Sequence, residues 1–537
     1  MLLLGVALVC VSPAAAVEVP RWQTSDIAFR STTKHDNPFK VDFSAEVTSP
    51  GGIHFTQLGF YDGEGIWKIR LGPNLPGKWT MRTRSNDPQL NGKSAETIVC
   101  VEQNNPRVHG GLLVDPEHPH HFVREDGTRF FYSGFECDWL WAIDLAAGDP
   151  KLPQTTILLD KLVAHDFNVV YLNLYAHSYG GGRGSPSFGP PAKYAWGGSN
   201  DQPDHSVFNL PFWQHYDRVI QALWNRGLEA HIMIKVYNKH VNWPAPGSPD
   251  DDMFFKYVVA RYAPFCNVHW DFAKESNRDT NLVYKLDRMA LIRQHDPYRR
   301  LLTTHTDSQV YTQYLGLLDY RTAQKHRDWH SSPISQLKKE PWPNVDAEYG
   351  YECGPAGTND TPGTRCEDAR TIYNRAWEVY LAGAYGAYYY AYTSWSVIRV
   401  NDTPAGYGYY KNLAKFFNQV GLWLMESKDD LVSSGYCLAN PGVEYVVYQP
   451  EKKEFTLKVE QATDQLSAQW FNPLTGDTAT AEGAKNGVCR FVPPSAWADG
   501  PVALHVGRAP KEKPVFRSTF ARPLPSKPAA RNSQSLN

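Results

Sequence analysis

The chain has 537 residues and a formal net charge of −2, so it is too long for one compact core and is expected to form two to four domains. The near-neutral charge argues against a nucleic-acid binder, which usually carries a clear basic excess. Aromatic residues make up 13% of the chain, with 17 Trp and 30 Tyr, which fits either well-filled cores or stacking of sugar rings on Trp and Tyr.

The N-terminus begins with an apolar run that is followed by the small residues Ala14–Ala16. This pattern is typical of a secretory signal peptide over residues 1–16, cleaved after about Ala16, although the positively charged start of such peptides is missing. The run is too short to span a bilayer, and no later segment reaches spanning length without charges. We therefore expect a secreted or periplasmic protein without a membrane span.

Three regions with different patterns follow the signal peptide. Residues 17–107 alternate short β-rich runs with turns, which predicts an immunoglobulin-like β-sandwich. Residues 108–426 alternate apolar β runs with helical patterns, which predicts a (β/α)8 TIM barrel. Residues 427–507 predict a second β-sandwich, and the Pro-, Lys- and Ser-rich residues 508–537 a disordered tail. The expected fold class is therefore α/β, a (β/α)8 barrel flanked by N-terminal and C-terminal β-sandwich domains.

Eight apolar runs are candidates for the strands of the barrel. They are Phe130–Phe135, Val169–Leu174, Ala230–Val236, Val268–Ala273, Leu301–His305, Leu318–Tyr320, Asn344–Glu348 and Ala387–Ala391. A Gly-rich segment, Tyr179–Phe188, follows the second run and lacks the spacing of a phosphate-binding loop. We interpret it as a loop that faces the substrate or closes over it.

Of the eight cysteines, Cys10 lies within the predicted signal peptide. Cys353 and Cys366 would close a short loop, and Cys437 and Cys489 lie in one C-terminal β region. An oxidising compartment permits disulfides, but connectivity cannot be read from a sequence, so both pairs stay candidates. No cysteine or histidine spacing indicates zinc, and we expect no metal and no cofactor.

Two acidic residues follow strands where a barrel places its chemistry. Catalytic groups sit at the carboxyl ends of the parallel strands. Glu275 follows the fourth predicted strand and Glu348 ends the seventh, so their carboxylates are expected to face each other. Retaining glycosidases need two carboxyls about 5–5.5 Å apart, one protonated to donate and one ionised to attack. Most single glutamates near a strand end are solvated loop carboxylates. Two glutamates at the ends of two strands that face each other favour a catalytic pair.

The motifs around these acids resemble a known family. Asn267–Trp270 together with Glu275 resembles the strand-4 motif of the large retaining (β/α)8 glycoside hydrolase clan, and Glu348 in Glu-Tyr-Gly-Tyr resembles its strand-7 nucleophile. Gly134–Trp139 and His295–Tyr298 are similar to the apiosidase-like family of glycosidases. The resemblance implies that Glu275 is the acid/base and Glu348 the nucleophile. It also implies a C-terminal β domain of the type named collagen-binding.

The chain departs from the clan's pattern immediately before Glu275. The clan places an Asn there, whose amide holds the sugar 2-hydroxyl, and this chain has Lys274. Asn277 is a candidate substitute for that amide. Glu352 is the alternative nucleophile, although it lies beyond the end of the predicted strand.

Further residues at the predicted strand ends are candidates for binding the substrate. They are Asp138, Trp139, Asn173, His177, Lys235, Lys274, His305, His326 and Trp395. Trp395 would form the floor on which the sugar stacks. For each of these residues, the alternative is a packed or solvent-facing side chain. No HExxH motif accompanies the histidines, so the sequence predicts no metal site.

The sequence thus predicts a secreted retaining glycoside hydrolase that cleaves O-glycosidic bonds of a plant or algal polysaccharide or oligosaccharide by double displacement. Two alternatives stay open: a non-catalytic glycan-binding protein on a barrel scaffold, and a polysaccharide lyase. Cations near the predicted mouth, among them Arg183, Lys274 and Arg278, leave an anionic sugar possible. The sugar, its linkage, exo or endo action and the oligomeric state are left open.

Overall fold

The computed structural model describes residues 17–94, 98–177, 191, 193–306, 314, 316–354, 366–394, 398–463 and 465–507. The predicted signal peptide, the Gly-rich segment, Trp395 and the predicted C-terminal tail lie outside these residues. No helix within the described ranges is both long enough and apolar enough to cross a membrane.

Two sheets form the N-terminal part of the molecule. Their strands alternate buried and more exposed side chains, as Phe43–Thr48 does, because successive side chains of a strand point to opposite faces. One sheet has the order β1-β8-β7-β3-β4 and the other β2-β6-β5, and they share a core around Trp67 and Trp79. The strands are β1 (Val17–Pro20), β2 (Ser25–Arg30), β3 (Phe43–Thr48), β4 (His54–Leu58), β5 (Phe60–Gly63), β6 (Ile66–Leu71), β7 (Gly77–Ser85) and β8 (Ile98–Val101).

A parallel sheet occupies the middle of the chain. The strands of this region are β9 (Leu112–Val114), β10 (Phe122–Arg124), β11 (Ser133–Glu136), β12 (Val169–Asn173), β13 (Trp196–Gly198), β14 (Pro203–Phe208), β15 (Glu229–Val236), β16 (Val268–Lys274), β17 (Leu302–Thr303), β18 (His305–Thr306), β19 (Arg321–Ala323), β20 (Asn344–Asp346), β21 (Tyr351–Glu352), β22 (Cys366–Glu367) and β23 (Tyr385–Tyr388). Nine of them pair in the order β17-β16-β15-β12-β11-β23-β20-β19-β18. Only Thr304 separates β17 from β18, which stand at the two ends of this order, so the sheet is nearly closed and barrel-like.

Helices alternate with these strands, and several begin at a side chain that caps the first turn. Ser248 accepts from a backbone N–H of α3, Asn281 from one of α4 and Asp368 from one of α6, which satisfies donors that a helix leaves unpaired. The helices are α1 (Pro153–Ala164), α2 (Leu210–Asn225), α3 (Pro249–Tyr262), α4 (Leu282–His295), α5 (Ser331–Leu337), α6 (Ala369–Leu381), α7 (Ala391–Ser394) and α8 (Ala405–Phe417).

The interior of the barrel-like sheet is polar. His231 of β15 stacks on Tyr171 of β12 with 3.8 Å between ring centroids. Its ring nitrogens bond to Asp271 of β16 at 3.1 Å and to the Tyr320 hydroxyl at 3.0 Å. Branched aliphatic side chains usually fill such a space, whereas here buried polar groups satisfy one another across the strands.

The C-terminal part again consists of two sheets, ordered β24-β25-β26-β31-β28-β29 and β27-β30. It packs against α6 and α8, where the Trp377 ring stacks on Tyr448 at 4.7 Å and Phe416 contacts Phe471. The strands are β24 (Glu426–Ser427), β25 (Tyr436–Asn440), β26 (Glu444–Gln449), β27 (Phe455–Val459), β28 (Leu466–Phe471), β29 (Thr478–Ala484), β30 (Gly487–Phe491) and β31 (Val502–Gly507).

This architecture confirms the coarse prediction of a mixed α/β fold with a barrel-like parallel sheet and β sheets before and after it. The finer description, a (β/α)8 barrel between two β-sandwiches, stays a prediction. The strand predicted at Leu318–Tyr320 is displaced, because pairing with β18 and β20 begins only at Arg321. Leu318 and Tyr320 are apolar and buried, which produced the strand pattern, but they precede the strand.

One of the two candidate disulfides is present. Cys353 and Cys366 are bonded and join the ends of β21 and β22. The pairing of Cys437 with Cys489 is wrong, since both are free. Cys437 belongs to β25 and Cys489 to β30, which lie in different sheets.

Candidate active site

The first strand of the barrel-like sheet places two buried acids at its carboxyl end, which we call the mouth. Glu136 ends β11 and Asp138 follows it two residues later, so strand alternation puts both on the inner face. Phe135, the residue before Glu136, faces outward and packs on Phe167. Both carboxylates contact the Lys274 ammonium, at 2.6 Å from Glu136 Oε1 and 3.2 Å from Asp138 Oδ1.

Lys274 is the last residue of β16, and its ammonium lies among the buried acids of the mouth. Phe272, two residues earlier, packs outward on α3. Asp271 binds the backbone near this strand end, where its Oδ1 accepts the N–H groups of Ala273 and His305, each at 3.0 Å.

The donors of Lys274 are all occupied by protein groups. An ammonium has three N–H donors, and its near acceptors are Glu136, Asp138 and the Tyr389 hydroxyl at 2.9 Å. Glu348 Oε2 lies slightly farther away, at 3.7 Å. Burial acts to lower the pKa of Lys274, but Asp138 and Glu136 raise it well above its usual value. Lys274 is therefore a fixed positive charge, with no donor left for a sugar hydroxyl.

Asp138 has a second cation beside it. Lys239 Nζ lies 2.6 Å from Asp138 Oδ2, and both side chains are fully buried. Burial favours the neutral carboxyl, but Lys239 and Lys274 hold the pKa of Asp138 well below its ordinary value. Burial raises the pKa of Glu136 far above its ordinary value, and Asp138 adds to that rise although Lys274 opposes it. Asp138 is thus the ionised member of this pair.

Glu348 follows β20 and is buried in the same cluster, with 4% of its surface exposed. The Tyr351 hydroxyl donates to Oε1, and the Tyr389 hydroxyl donates to Oε2 at 3.3 Å. His305 Nε2 lies 3.7 Å from Oε2. Two hydroxyl donors and a nearby ammonium thus surround the carboxylate that the sequence predicts to be the nucleophile.

The charge of Glu348 is sensitive to its surroundings. Burial raises its pKa to about 7, Lys274 opposes that rise, and the carboxylate of Glu275 adds to it. Like charges disfavour each other's ionisation only across short distances. The carboxylate of Glu275 is therefore close enough to Glu348 to disfavour the charge of Glu348.

Glu275 is held in a different environment. Its backbone is left-handed, with φ of 53°, at the start of a short 3-10 turn, a conformation that is uncommon outside glycine. Asn238 Nδ2 donates to Oε1 at 2.8 Å, and Arg278 pairs with Oε2. Its side chain is 14% exposed, compared with 6% for Glu348. Glu275 is therefore nearer to solvent, which suits a group that exchanges protons with water.

Glu352, the alternative nucleophile, has other partners. Its Oε2 accepts from the Tyr388 hydroxyl at 2.6 Å and from the backbone N–H of Gly406 at 3.0 Å. Gly406 lies in the first turn of α8, where backbone donors favour a carboxylate. Burial raises the pKa of Glu352 to about 7. Its contacts anchor a helix, and it shares none of them with Glu348.

Two predicted binding residues hold buried polar atoms without a partner. Neither ring nitrogen of His305 and neither amide atom of Asn173 makes a hydrogen bond within the described part of the chain. Both side chains are fully buried. Burial lowers the pKa of His305 well below its usual value and Lys274 adds to the effect, so the ring is neutral.

The other predicted residues lie farther from this cluster or outside the described ranges. Trp139 is buried and stacks on a second tryptophan at 5.7 Å, and His177 is half-buried beside Tyr194. Lys235 donates to a tyrosine hydroxyl of α4 at 2.9 Å, so the structure does not bring its ammonium to the mouth. His326 is exposed after β19.

Several residues of the cluster were missed by the sequence-based prediction. They are Glu136, Lys239, Tyr351 and Tyr389. Strand alternation could have identified Glu136, since it shares a face with Asp138. No local sequence pattern marks Lys239 or Tyr389, because the direction of a loop and the order of the strands place them in the cluster.

Three segments of the chain match family models. Residues 117–436 match the model described as "Apiosidase-like, catalytic domain". Residues 18–86 match a domain of unknown function, and residues 427–501 match a "Putative collagen-binding domain of a collagenase". A comparison with curated proteins finds no match.

Solved structures of low identity share the fold. One, described as a "putative glycoside hydrolase" from Bacteroides vulgatus, is 19% identical with a TM-score of 0.73, covering 92% of this chain and 100% of that one. A glycoside hydrolase family 5 structure from the same species is 17% identical with a TM-score of 0.56, covering 74% and 94%. The match over residues 117–436 spans more than half of the sequence, and on that ground the chain belongs to the apiosidase-like family.

Proposed function

We propose that the protein is a retaining glycoside hydrolase in which Glu348 attacks the anomeric carbon and Glu275 acts as acid and base. The observation that carries the proposal is the position of these two acids after β16 and β20, where Lys274 and Tyr351 surround the Glu348 carboxylate and Asn238 holds that of Glu275. Two carboxyls at one sugar bond are what double displacement requires. Membership of the apiosidase-like family supports a glycosidase.

The surroundings of the two acids suggest how each step proceeds. Glu275 donates its proton to the leaving oxygen while an oxygen of ionised Glu348 forms a bond to the anomeric carbon. Glu275, now a carboxylate, takes a proton from water, whose oxygen displaces Glu348 and restores both groups. Lys274 and the hydroxyls of Tyr351 and Tyr389 favour the ionised form of Glu348 at the start and at the end.

One observation favours the opposite roles. The carboxyl of higher pKa is ordinarily the proton donor of such a pair, and burial raises the pKa of Glu348 to about 7. The ammonium and the two hydroxyl donors around Glu348 argue for the nucleophile, because they stabilise its negative charge. A small anion such as azide can replace the nucleophile with inversion. The variant whose activity it restores in this way therefore identifies the nucleophile.

Substitution of the two acids tests the proposal. Glu348→Ala and Glu275→Gln should each lower turnover about a thousandfold or more while leaving the fold intact. Turnover would be followed by mass spectrometry of products from neutral, uronic and sulfated polysaccharides. Azide should rescue Glu348→Ala and yield a glycosyl azide of inverted configuration. If azide instead gave this inverted product with Glu275→Ala, Glu275 would be the nucleophile and Glu348 the acid and base.

Glu352→Gln is the matched control, since this carboxylate is buried nearby but anchors α8. It should retain most of the turnover. Full activity in Glu348→Ala or in Glu275→Gln would contradict the proposal. An unsaturated product that absorbs in the ultraviolet would indicate a lyase, and binding without any product would indicate a glycan-binding protein.

We further propose that the protein is secreted and acts on a plant or algal polysaccharide or oligosaccharide. The Cys353–Cys366 disulfide supports an oxidising compartment. Lys239, Lys274 and Arg278 are each paired with a carboxylate, which favours a neutral sugar over an anionic one.

A further inference from the structure

Two polar side chains at the mouth lack the hydrogen bonds that burial normally demands. Among the residues that the structure describes, His305 of β18 has no partner for Nδ1 or Nε2, and Asn173 at the end of β12 has none for Oδ1 or Nδ2. Neither side chain is exposed. Buried polar groups are nearly always satisfied by protein or bound water, and an unsatisfied one disfavours the folded state. The pattern is therefore expected where a ligand supplies the missing bonds.

Both side chains face the inside of the barrel-like sheet. Tyr171, two residues before Asn173 on β12, stacks on His231 in the interior, and residues two apart share a face. The backbone N–H of Asn173 donates to the carbonyl of Asp138, a residue of the cluster. His305 Nε2 lies 3.7 Å from Glu348 Oε2. The unpartnered atoms are thus on the same side as the proposed nucleophile.

The residue immediately before Glu275 does not provide a hydroxyl-binding group. Lys274 donates to Glu136, Asp138 and Tyr389, which uses its three N–H donors. Some other group at the mouth must therefore bind the hydroxyls of the sugar.

We propose that His305 and Asn173 form the hydroxyl-binding wall for the sugar whose bond is cleaved, and that His305 binds the hydroxyl on the carbon next to the anomeric carbon. This inference rests on the proposed function. When Glu348 bonds to the anomeric carbon, the adjacent hydroxyl is the one nearest to its carboxylate. A group 3.7 Å from that carboxylate reaches it. The substrates are therefore sugars with a free 2-hydroxyl.

The chemistry of the two side chains fits this role. A neutral imidazole has one donor and one acceptor nitrogen, and a carboxamide has both donors and an acceptor. Burial lowers the pKa of His305 and keeps the ring neutral. Each side chain can thus donate to one hydroxyl oxygen and accept from another, without adding charge beside Glu348.

A substrate that lacks the 2-hydroxyl isolates the contact. The probes are 4-nitrophenyl glycosides of the common hexoses and pentoses, and for each cleaved glycoside its 2-deoxy counterpart. We expect His305→Ala to lower kcat/KM for the parent glycoside about tenfold or more, and for the 2-deoxy glycoside by less than threefold. Asn173→Ala should lower kcat/KM equally for both, because it binds a different hydroxyl.

Matched controls are His121 and Asn267, which are buried but already bonded through one side-chain nitrogen each. The His121 ring bonds to the Tyr385 hydroxyl at 2.7 Å, and Asn267 donates to the Leu228 carbonyl at 2.9 Å. Asn267 directly precedes β16, and Tyr385, which bonds to His121, is the first residue of β23, so both controls lie at the amino ends of these strands, away from the mouth. His121→Ala and Asn267→Ala should leave the ratio of the two kcat/KM values unchanged. An equal loss for both glycosides in His305→Ala would overturn the inference.

A second measurement does not depend on turnover. Histidine labelled with ¹⁵N in the inactive Glu348→Gln variant should show a shift of the His305 ring resonances when the free parent sugar is added, and a smaller shift with its 2-deoxy form. His305 resonances that no sugar moves would overturn the inference. If Glu348→Ala and Glu275→Gln remain active, the proposed function fails. If they are inactive but His305→Ala shows no preference for the parent glycoside, only the inference fails.

Discussion

Glu348 is a carboxylate on which opposing influences act. Burial disfavours its charge and raises its pKa to about 7, while Lys274 at 3.7 Å and the tyrosine hydroxyls favour the charge. A nucleophile must be ionised when it attacks. The balance at this one side chain therefore decides the pH range in which the proposed reaction proceeds.

Lys274→Met removes the cation but keeps the length of the side chain. Because Lys274 lowers the pKa of Glu348, its loss should raise that pKa, and the acidic limb of the kcat/KM profile should move about 1–2 pH units higher. The measurement is kcat/KM against pH on the preferred glycoside.

Lys235→Met is the matched control for this shift. Lys235 is equally buried on the neighbouring strand, but its ammonium bonds to the Tyr284 hydroxyl. Its loss should leave the acidic limb in place. If Lys274→Met folds poorly because Glu136 loses its partner, the same profile is measured for Lys274→Met combined with Glu136→Gln, in which an amide that needs no cation replaces the carboxyl. If the acidic limb of the kcat/KM profile stayed in place in both the single and the double variant, Lys274 would not lower the pKa of Glu348.

Burial of Glu348 also predicts a cost in stability. Its pKa is near 7 in the folded protein and close to 4.5 when unfolded, so the unfolded chain releases the proton first as pH rises. The free energy of unfolding should therefore fall between about pH 4.5 and 7. Glu348→Gln removes this loss, and at pH 8 it should stabilise the protein by about 3 kcal/mol, with little effect at pH 4.

The measurement is the thermal unfolding midpoint of Glu348→Gln and of the parent at both pH values. Glu340→Gln serves as the comparison, since Glu340 is buried and paired with Arg321. Breaking that pair should lower the midpoint at both pH values. A midpoint for Glu348→Gln that is lower at pH 8 than that of the parent would contradict the prediction.

At the scale of elements, the segment after β20 supports the site. The parallel pair β21 and β22 carries Tyr351, which donates to Glu348, and Glu352, whose N–H donates to the Tyr389 carbonyl at 2.9 Å. The disulfide joins Cys353, the residue after Glu352, to Cys366, the first residue of β22 and the register partner of Tyr351. Strands this short have few ladder bonds, so the covalent link fixes the position of Tyr351.

Replacement of Cys353 and Cys366 by serine should destabilise the protein. The bond closes a loop with a sequence separation of 13, for which loop entropy predicts about 3 kcal/mol. We expect a lower unfolding midpoint for the double variant, and the same drop when a reductant is added to the parent. Cys489→Ser, which changes a free and partly exposed cysteine, should leave the midpoint nearly unchanged. Equal midpoints for the parent and the double variant would show that the disulfide adds no stability.

At the scale of the whole molecule, buried ion pairs join the N-terminal sheets to the helices. Asp217 of α2 lies 3.0 Å from Arg70 of β6 and 2.5 Å from Arg261 of α3. Arg70 also pairs with Asp26, and Arg261 with Asp62. Burial would raise the pKa of Asp217, but Arg261 and Arg70 hold it well below its usual value. The cluster therefore fixes how the N-terminal part sits on α2 and α3.

Asp217→Asn should weaken this junction. Loss of one partner leaves two buried guanidinium groups undercompensated, which typically costs about 3–5 kcal/mol. Because the folded pKa of Asp217 is depressed, its contribution is complete above about pH 4 and is lost as the pH falls further. The decrease in the unfolding midpoint that Asp217→Asn causes should thus be largest near pH 7 and become smaller towards pH 3.

Asp160→Asn is the exposed counterpart for this comparison. Asp160 pairs with Arg226 at 2.6 Å, but its side chain is 63% exposed, so water screens the pair. Its loss should change the midpoint little at any pH. Equal effects of Asp217→Asn and Asp160→Asn would show that the junction is not held by buried charge.

Hydrophobic periodicity in the sequence was sufficient for most of the elements. The run Val169–Leu174 differs from β12 by one residue, and the run Val268–Ala273 differs from β16 by one residue. Such patterns are local, because each buried face repeats with the period of its element. The strand misplaced before Arg321 shows the limit, since pairing with β18 and β20 sets its start.

The sequence by itself determined the barrel-like sheet and the positions of Glu275 and Glu348 at the ends of its strands, because both follow from the order of local patterns. Only the tertiary structure decided what surrounds those acids. Lys274 bonds to Glu136, which ends β11, and to Tyr389, which follows the last strand of the sheet. Side-chain direction at a strand end and the pKa of a buried carboxylate depend on neighbours distant in the chain, which no local pattern encodes.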